Sequence, residues 1–334
     1  MRGRVFPTLP AMWKQIAVYL SIPWIALSFD PASQDDSQAL ARHFAEQESP
    51  KGPAFERGEY VPVQGETISI MGGAMVFEMQ KFGFLEAVMQ QAHPDKQLKF
   101  RNLGWAGDTV YNQQRPMYFY TEKGDTREGS IPDQRQKIEP GTFILCFGKM
   151  ESLDGEEALP AFEKSYEGLI ENLGKYTSRM ILVEPFPFSD VGPAKDLSPE
   201  RNEVLAMYSE TIKDLAKRHS AIFVRSEEFP PDNFESNGLY LTESGQKELA
   251  RQIATGLGIE FEPKPYVLEA VQKKNVLWDQ YYRPTNWAFL FGDRQWVPSS
   301  RDHKDESKRW FVEELEVIPG LVAEADQKIW EVAK

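Results

Sequence analysis

Hydrolysis by a side-chain nucleophile needs three groups in one place: a hydroxyl or thiol, a base to take its proton, and a partner that orients the base. The chain offers four histidines and one cysteine for those roles. His303 stands in PSSRDHKDE, flanked by Asp302 and Asp305 and close to Ser299 and Ser300, the company a base would need. The plainer reading of that stretch is a charged, solvated turn with a capping role. His43, His93 (in AHPD) and His219 (before Ser220) read as ordinary helix-terminal or surface residues. Cys146 lies inside the apolar run TFILCF and reads as a buried core residue. Glu184, in VEPFP, can face a cleft or simply anchor a loop, and Glu227-Glu228 ahead of Pro230-Pro231 reads as a solvated loop. No spacing of acids or histidines resembles a calcium loop or a metal-binding helix pair, so no metal and no cofactor is expected.

The elements that must position these groups alternate. Thr67 to Met71 reads as a strand ending in Gly72-Gly73, and Val76 to Gln91 as a helix with Phe77, Phe84, Leu85 and Val88 on one stripe. Strands follow at Leu98 to Leu103, Thr142 to Phe147, Arg179 to Val183 and Ala221 to Val224. Helices are expected at Leu159 to Leu173, ended by Gly174, and from Ser198, as cap with Pro199 next, to about His219. Another begins at the cap Thr242 and closes at Gly256 or Gly258. Strand–helix alternation implies an α/β fold: a flavodoxin-like parallel sheet of about five strands with helices on both faces. Chemistry is then expected in the loops after Met71, Leu103, Phe147, Val183 and Val224, beyond the carboxyl ends of the strands.

Four of those neighbourhoods, in order, resemble the blocks of the SGNH (GDSL-type) hydrolases. Gly72-Gly73-Ala74 stands where the family has Gly-Asp-Ser. NLGWAGDTV supplies Gly107-Asp108-Thr109, Gly148-Lys149-Met150-Glu151 stands where the family has Gly-x-Asn-Asp, and NGLYLTESG brings Asn237 and Tyr240 where it has Asp-x-x-His. The resemblance covers roughly residues 65–258. It implies an ester hydrolase, plausibly a carbohydrate deacetylase, with Ala74 at the nucleophile, Gly107 and Met150 at the oxyanion donors, Asn237 at the orienter and Tyr240 at the base. Only Gly107 keeps its family identity. Ala74 has no nucleophilic atom, Met150 donates no hydrogen bond, and a tyrosine with an ordinary pKa near about 10 is a poor base at neutral pH. The expectation is therefore a non-catalytic or very weak cleft that binds an acylated carbohydrate or another small ester. One alternative is an active ester hydrolase with relocated groups, Ser152 (or its neighbours Ser69 and Thr109) paired with His303. Another is an interaction module docking through an aromatic C-terminal extension.

Composition bounds the rest. An apolar share of 41% supports a sizeable core, and a net charge of −13 without basic stripes excludes nucleic acid as a partner. A single cysteine excludes an internal disulfide framework. Arg2, Arg4 and Lys14 precede an apolar run from Ile16 to Phe29, closing on Ala26-Leu27-Ser28. That is the layout of a secretory signal. Residues 1–28 are expected to be a signal peptide, 29–64 a leader, 65–258 the hydrolase-like domain and 259–334 an extension packed on it. The protein is expected to be exported, to the periplasm or beyond, with membrane attachment only if the first segment is retained. Cleavage would remove three basic side chains and take −13 to −16. In the extension, Pro265 to Tyr282 reads as a helix. Trp287, Phe289, Phe291 and Trp296 read as a packing layer, with sugar stacking as the alternative, and Trp310 to Val332 as an amphipathic segment packed on the core.

Overall fold

Five short strands set the architecture: four are apolar-rich runs, and the second in chain order, reading KFRN, carries two basic side chains and an amide. A computed structural model describes residues 52–55, 59–113, 138, 140–285, 287–290, 294 and 297–334. The expected signal segment, most of the leader, His43, Phe291 and Trp296 lie outside the described residues. The strands are β1 (Thr67–Gly72), β2 (Lys99–Asn102), β3 (Thr142–Cys146), β4 (Met180–Val183) and β5 (Ile222–Val224). They form one parallel sheet in the order β2-β1-β3-β4-β5. Every residue of β1, β3 and β4 is buried, as runs covered on both faces must be.

The two-residue period of a strand sorts those runs onto two cores. Ile68, Ile70, Ile144 and Ile181 face one way, against α1 (Ala74–Phe82), α2 (Phe84–Ala92) and α5 (Glu243–Gly256). Met71, Phe143, Leu145 and Leu182 face the other, against α3 (Leu159–Leu173) and α4 (Ser198–Arg218). Three further helices follow: α6 (Pro265–Tyr282), the single turn α7 (Trp287–Leu290) and α8 (Trp310–Ala333).

Local details correct three expectations. The helix expected from Val76 to Gln91 is two helices, broken at Gly83 with φ +69°. A Cβ there would stand 2.6 Å from Val271 Cγ1, so the glycine supplies both the left-handed turn and room for α6. Ser198 does not cap α4: Leu197 holds the cap position, and Ser198 Oγ donates to Lys195 O at 2.8 Å from inside the first turn. In α8, Leu315 is buried, but Trp310 and Leu321 are exposed rather than packed. Thr242 does cap α5, its hydroxyl accepting from Gly245 N.

The extension closes the sheet edge at β2. In a parallel strand alternate residues turn their carbonyls to the same side, and Lys99 and Leu103 N–H bond toward β1. The even-numbered carbonyls therefore face outward. Leu98 O accepts from Gln90 and Trp330, and Phe100 O from Lys274. Asn102 O accepts from Trp278 and Arg283, and Gly104 O from Arg283. Side chains of α2, α6 and α8 do for this edge what a sixth strand would do.

Candidate functional site

The carboxyl ends of the strands open into a cavity of about 340 Å³. It is lined from the loops after β1, β2, β3 and β4, and by Leu239, Tyr240, Leu241 and Gln246 at the entry to α5. The loop after β5, expected to contribute, instead borders a separate groove with Glu227, Glu228 and Arg251. Glu227 there is paired with Arg251 at 2.7 Å.

Close backbone approaches assemble the loops. Gly73 occupies the cap of α1, and a Cβ on it would lie 2.8 Å from Asp108 O. Only glycine lets the first loop press against the second. This sets Ala74, the first residue of α1, beside Gly107 on the cavity wall. Gly107 has φ +91°, with open space where a Cβ would point. Glu151 fastens the second loop to the third: its carboxylate accepts from Val110 N at 2.8 Å and Gly148 N at 2.9 Å. Burial pushes that carboxyl above the usual range, against the pull of these backbone donors. Sequence reasoning placed Glu151 in the block without giving it a role; the signal was its position at the acidic end of Gly-Lys-Met-Glu.

Of the five family-equivalent positions, Ala74, Gly107, Met150 and Tyr240 meet at the cavity. Met150 and Tyr240 form its rim and are 51% and 44% exposed, so both can touch a ligand. Asn237 is turned to another task. Its Oδ1 accepts from Leu239 N at 2.8 Å and Tyr240 N at 3.0 Å, forming the turn that presents the tyrosine. Gly238 in that turn has φ +71°, and its would-be Cβ meets Val191 O at 2.0 Å.

The structure does not bring Ser152 and His303 together at the cavity. Ser152 is buried, its Oγ donates to Lys149 O at 2.8 Å, and neither Ser152 nor His303 is among the described residues lining the wall. His303 is exposed in a turn organised by Asp302, whose carboxylate accepts from Lys304 N, Asp305 N and Trp310 Nε1. The Lys304 N–H first, and the Trp310 indole N–H with it, hold the Asp302 carboxyl below the usual range. Ser69 is buried mid-strand, while Thr109 lines the cavity. His93 ends α2 against the Tyr60 ring, and burial lowers its pKa. His219 ends α4, 3.4 Å from Glu167 Oε1.

Three further groups line the wall. Cys146 is on the buried strand, where burial pushes its thiol up to about 12. Glu184 accepts from Ser226 N at 2.9 Å. Lys149, absent from every sequence-based expectation of a role, donates to Pro187 O at 2.9 Å. Its ammonium stands 3.6 Å from the Phe186 ring centroid, 4.8 Å from Phe188 and 5.5 Å from Phe234. Among the described residues no cluster of acids, cysteines and histidines could hold a metal ion.

No family model matches this chain, and no curated protein matches it. Solved structures do. A gut microbial diltiazem-metabolizing enzyme, BT4096, aligns at 11% identity with a TM-score of 0.57, covering 83% of this chain and 97% of that one. Axe2, an acetylxylan esterase from Geobacillus stearothermophilus, aligns at 15% identity with a TM-score of 0.45, covering 60% of this chain and 97% of that one. LAE5, an α/β hydrolase enzyme from the metagenome of Lake Arreo, Spain, gives 14% and 0.45 over 59% of this chain and 96% of that one. At such identities the likeness to BT4096 establishes a shared fold, extending over most of both chains.

Proposed function

We propose that this protein is an SGNH-type ester-hydrolase relative whose cavity binds a neutral, largely apolar ester, and that Ser-His-Asp chemistry does not operate there. One observation carries the reading: among the described residues, no serine and no histidine lines the cavity, and Ala74 presents a methyl group at the strand-to-helix turn. The rim points to the ligand. Met150 and Leu239 are exposed at the mouth beside Tyr240, while Glu151 spends its carboxylate on backbone N–H groups. A sugar needs many polar partners; an acyl or aryl group needs this apolar wall more. This shifts the expected ligand from an acylated carbohydrate toward the acyl end itself.

The test uses N-hexylacetamide, the amide isostere of an acetate ester. Thermal stability should rise with its concentration as a ligand of the folded state requires, and Ala74→Phe, which fills the wall, should abolish the shift. No shift at millimolar ligand would overturn the proposal. The fold shared with a drug-metabolizing enzyme favours a second reading, an active hydrolase using other groups; turnover separates the two. Export is proposed as well, on the strength of the basic start and short apolar run. N-terminal sequencing of the protein from its host should then begin near residue 29 rather than at Met1.

A further inference from the structure

The Lys149 amine is used by nothing in the reading above, and its surroundings are unusual for a lysine. It is half-buried and contributes to the cavity wall together with Phe186, whose ring lies 3.6 Å from its nitrogen. Phe188 and Phe234 close two other sides. Its polar partner is one neutral carbonyl, Pro187 O, and among the described residues no carboxylate lies within ion-pair distance. A lysine in a structural ion pair looks different: Lys274 has Glu86 at 2.7 Å.

We propose that Lys149 is a carbonyl-reactive amine that captures small apolar aldehydes or ketones in the cavity as an imine. The nitrogen lone pair attacks the carbonyl carbon, and the C–O π pair moves to oxygen. A proton passes from nitrogen to that oxygen, giving a carbinolamine. The remaining N–H proton and the hydroxyl then leave as water, and the C=N bond forms. No oxidant or second substrate is needed. The wall suits an apolar carbonyl compound, and among the described residues that line it Lys149 is the one amine. Burial disfavours the ammonium and drives the Lys149 pKa well below its ordinary value, although the faces of three rings pull the other way. That lowering raises the neutral, nucleophilic fraction at a given pH. The Cys146 thiol, pushed up by the same burial, is silenced.

The experiment treats the full-length protein at neutral pH with benzaldehyde and cyanoborohydride. Hydride reduces the imine to a stable secondary amine, and peptide mass spectrometry locates it. The Lys149 peptide should carry at least about ten times the adduct found on exposed lysines such as Lys273 and Lys328. In Lys149→Arg, which keeps a cation and a donor, that selective adduct should vanish while the surface background stays. Equal labelling of Lys149 and Lys273, or no labelling of Lys149 in protein whose melting is cooperative, would overturn the proposal. Amide binding does not use this amine, so failure here leaves the ester-ligand reading standing, and the converse also holds.

Discussion

Lys274 and Lys149 are both enclosed lysines, and the molecule treats them oppositely. Lys274 sits where the extension covers β2, with its ammonium on Glu86 and Phe100 O. Lys149 sits at the open ends of the strands, on one carbonyl and three rings. The same contrast runs through the two regions. At the β2 edge Arg101 meets Asp326 at 2.9 Å, and Arg283 meets Gln80, Asn102 and Gly104. Polar groups there are spent on one another and on the strand's outward carbonyls. At the cavity the carboxylates of Glu151 and Glu184 accept from backbone N–H groups, and Lys149 has no carboxylate beside it. Buried charge set against an opposite charge fixes position; buried charge with no counter-charge is available for chemistry.

The largest effect should come from breaking the edge. Arg283→Met strands the Gly104 carbonyl, takes one of two donors from Asn102 O and should lower stability by about 3–5 kcal/mol, read as a shifted urea midpoint. Lys274→Met should cost about 3 kcal/mol at neutral pH, because Glu86 is left buried and uncompensated. Burial already holds the Glu86 carboxyl above its ordinary value. A carboxyl whose folded pKa exceeds its unfolded one favours folding below the unfolded value and loses that contribution as pH rises through the folded one. The variant should therefore regain stability as pH falls, and adding Glu86→Gln should remove this pH dependence. Gly238→Ala, with φ +71° and a Cβ forced onto Val191 O, should lose about 2 kcal/mol and displace Tyr240 at the rim.

The smallest effect should have the opposite sign. Lys149→Met removes a poorly answered charge and should stabilise the protein by about 1 kcal/mol at neutral pH. An amine with a lowered folded pKa makes folding more favourable as pH rises from that value toward its ordinary 10.5. The advantage of the variant should shrink over the same range. Destabilisation that persists at every pH would erase the distinction between the two lysines.

The centre of the sheet was legible because β3 and β4 are apolar runs, TFILC and MILV, and α3 and α6 were bounded by Gly174 and Pro265. The break at Gly83 was not legible. Its cause is α6 standing against it, a contact across nearly two hundred residues of chain. Four of the five family positions reached the cavity: Ala74, Gly107 and Met150 each follow a strand's carboxyl end within a few residues, and Tyr240 arrives at the entry to α5. Asn237 escaped the pattern because its oxygen bonds its own turn, a competition that a motif does not display. Lys149 had no local signature at all. It acquired its surroundings from Phe186, Phe188 and Phe234, which belong to other segments.

Whether the cavity wall can hydrolyse an ester is decided by turnover of p-nitrophenyl acetate. The folded protein should release nitrophenol no faster than the heat-denatured control, and Ala74→Ser alone should add nothing, with no histidine among the described residues of the wall to activate it. Saturable, folded-state turnover by the unaltered protein, abolished by a change at the cavity such as Ala74→Phe, would contradict the account and establish the active-hydrolase reading in its place.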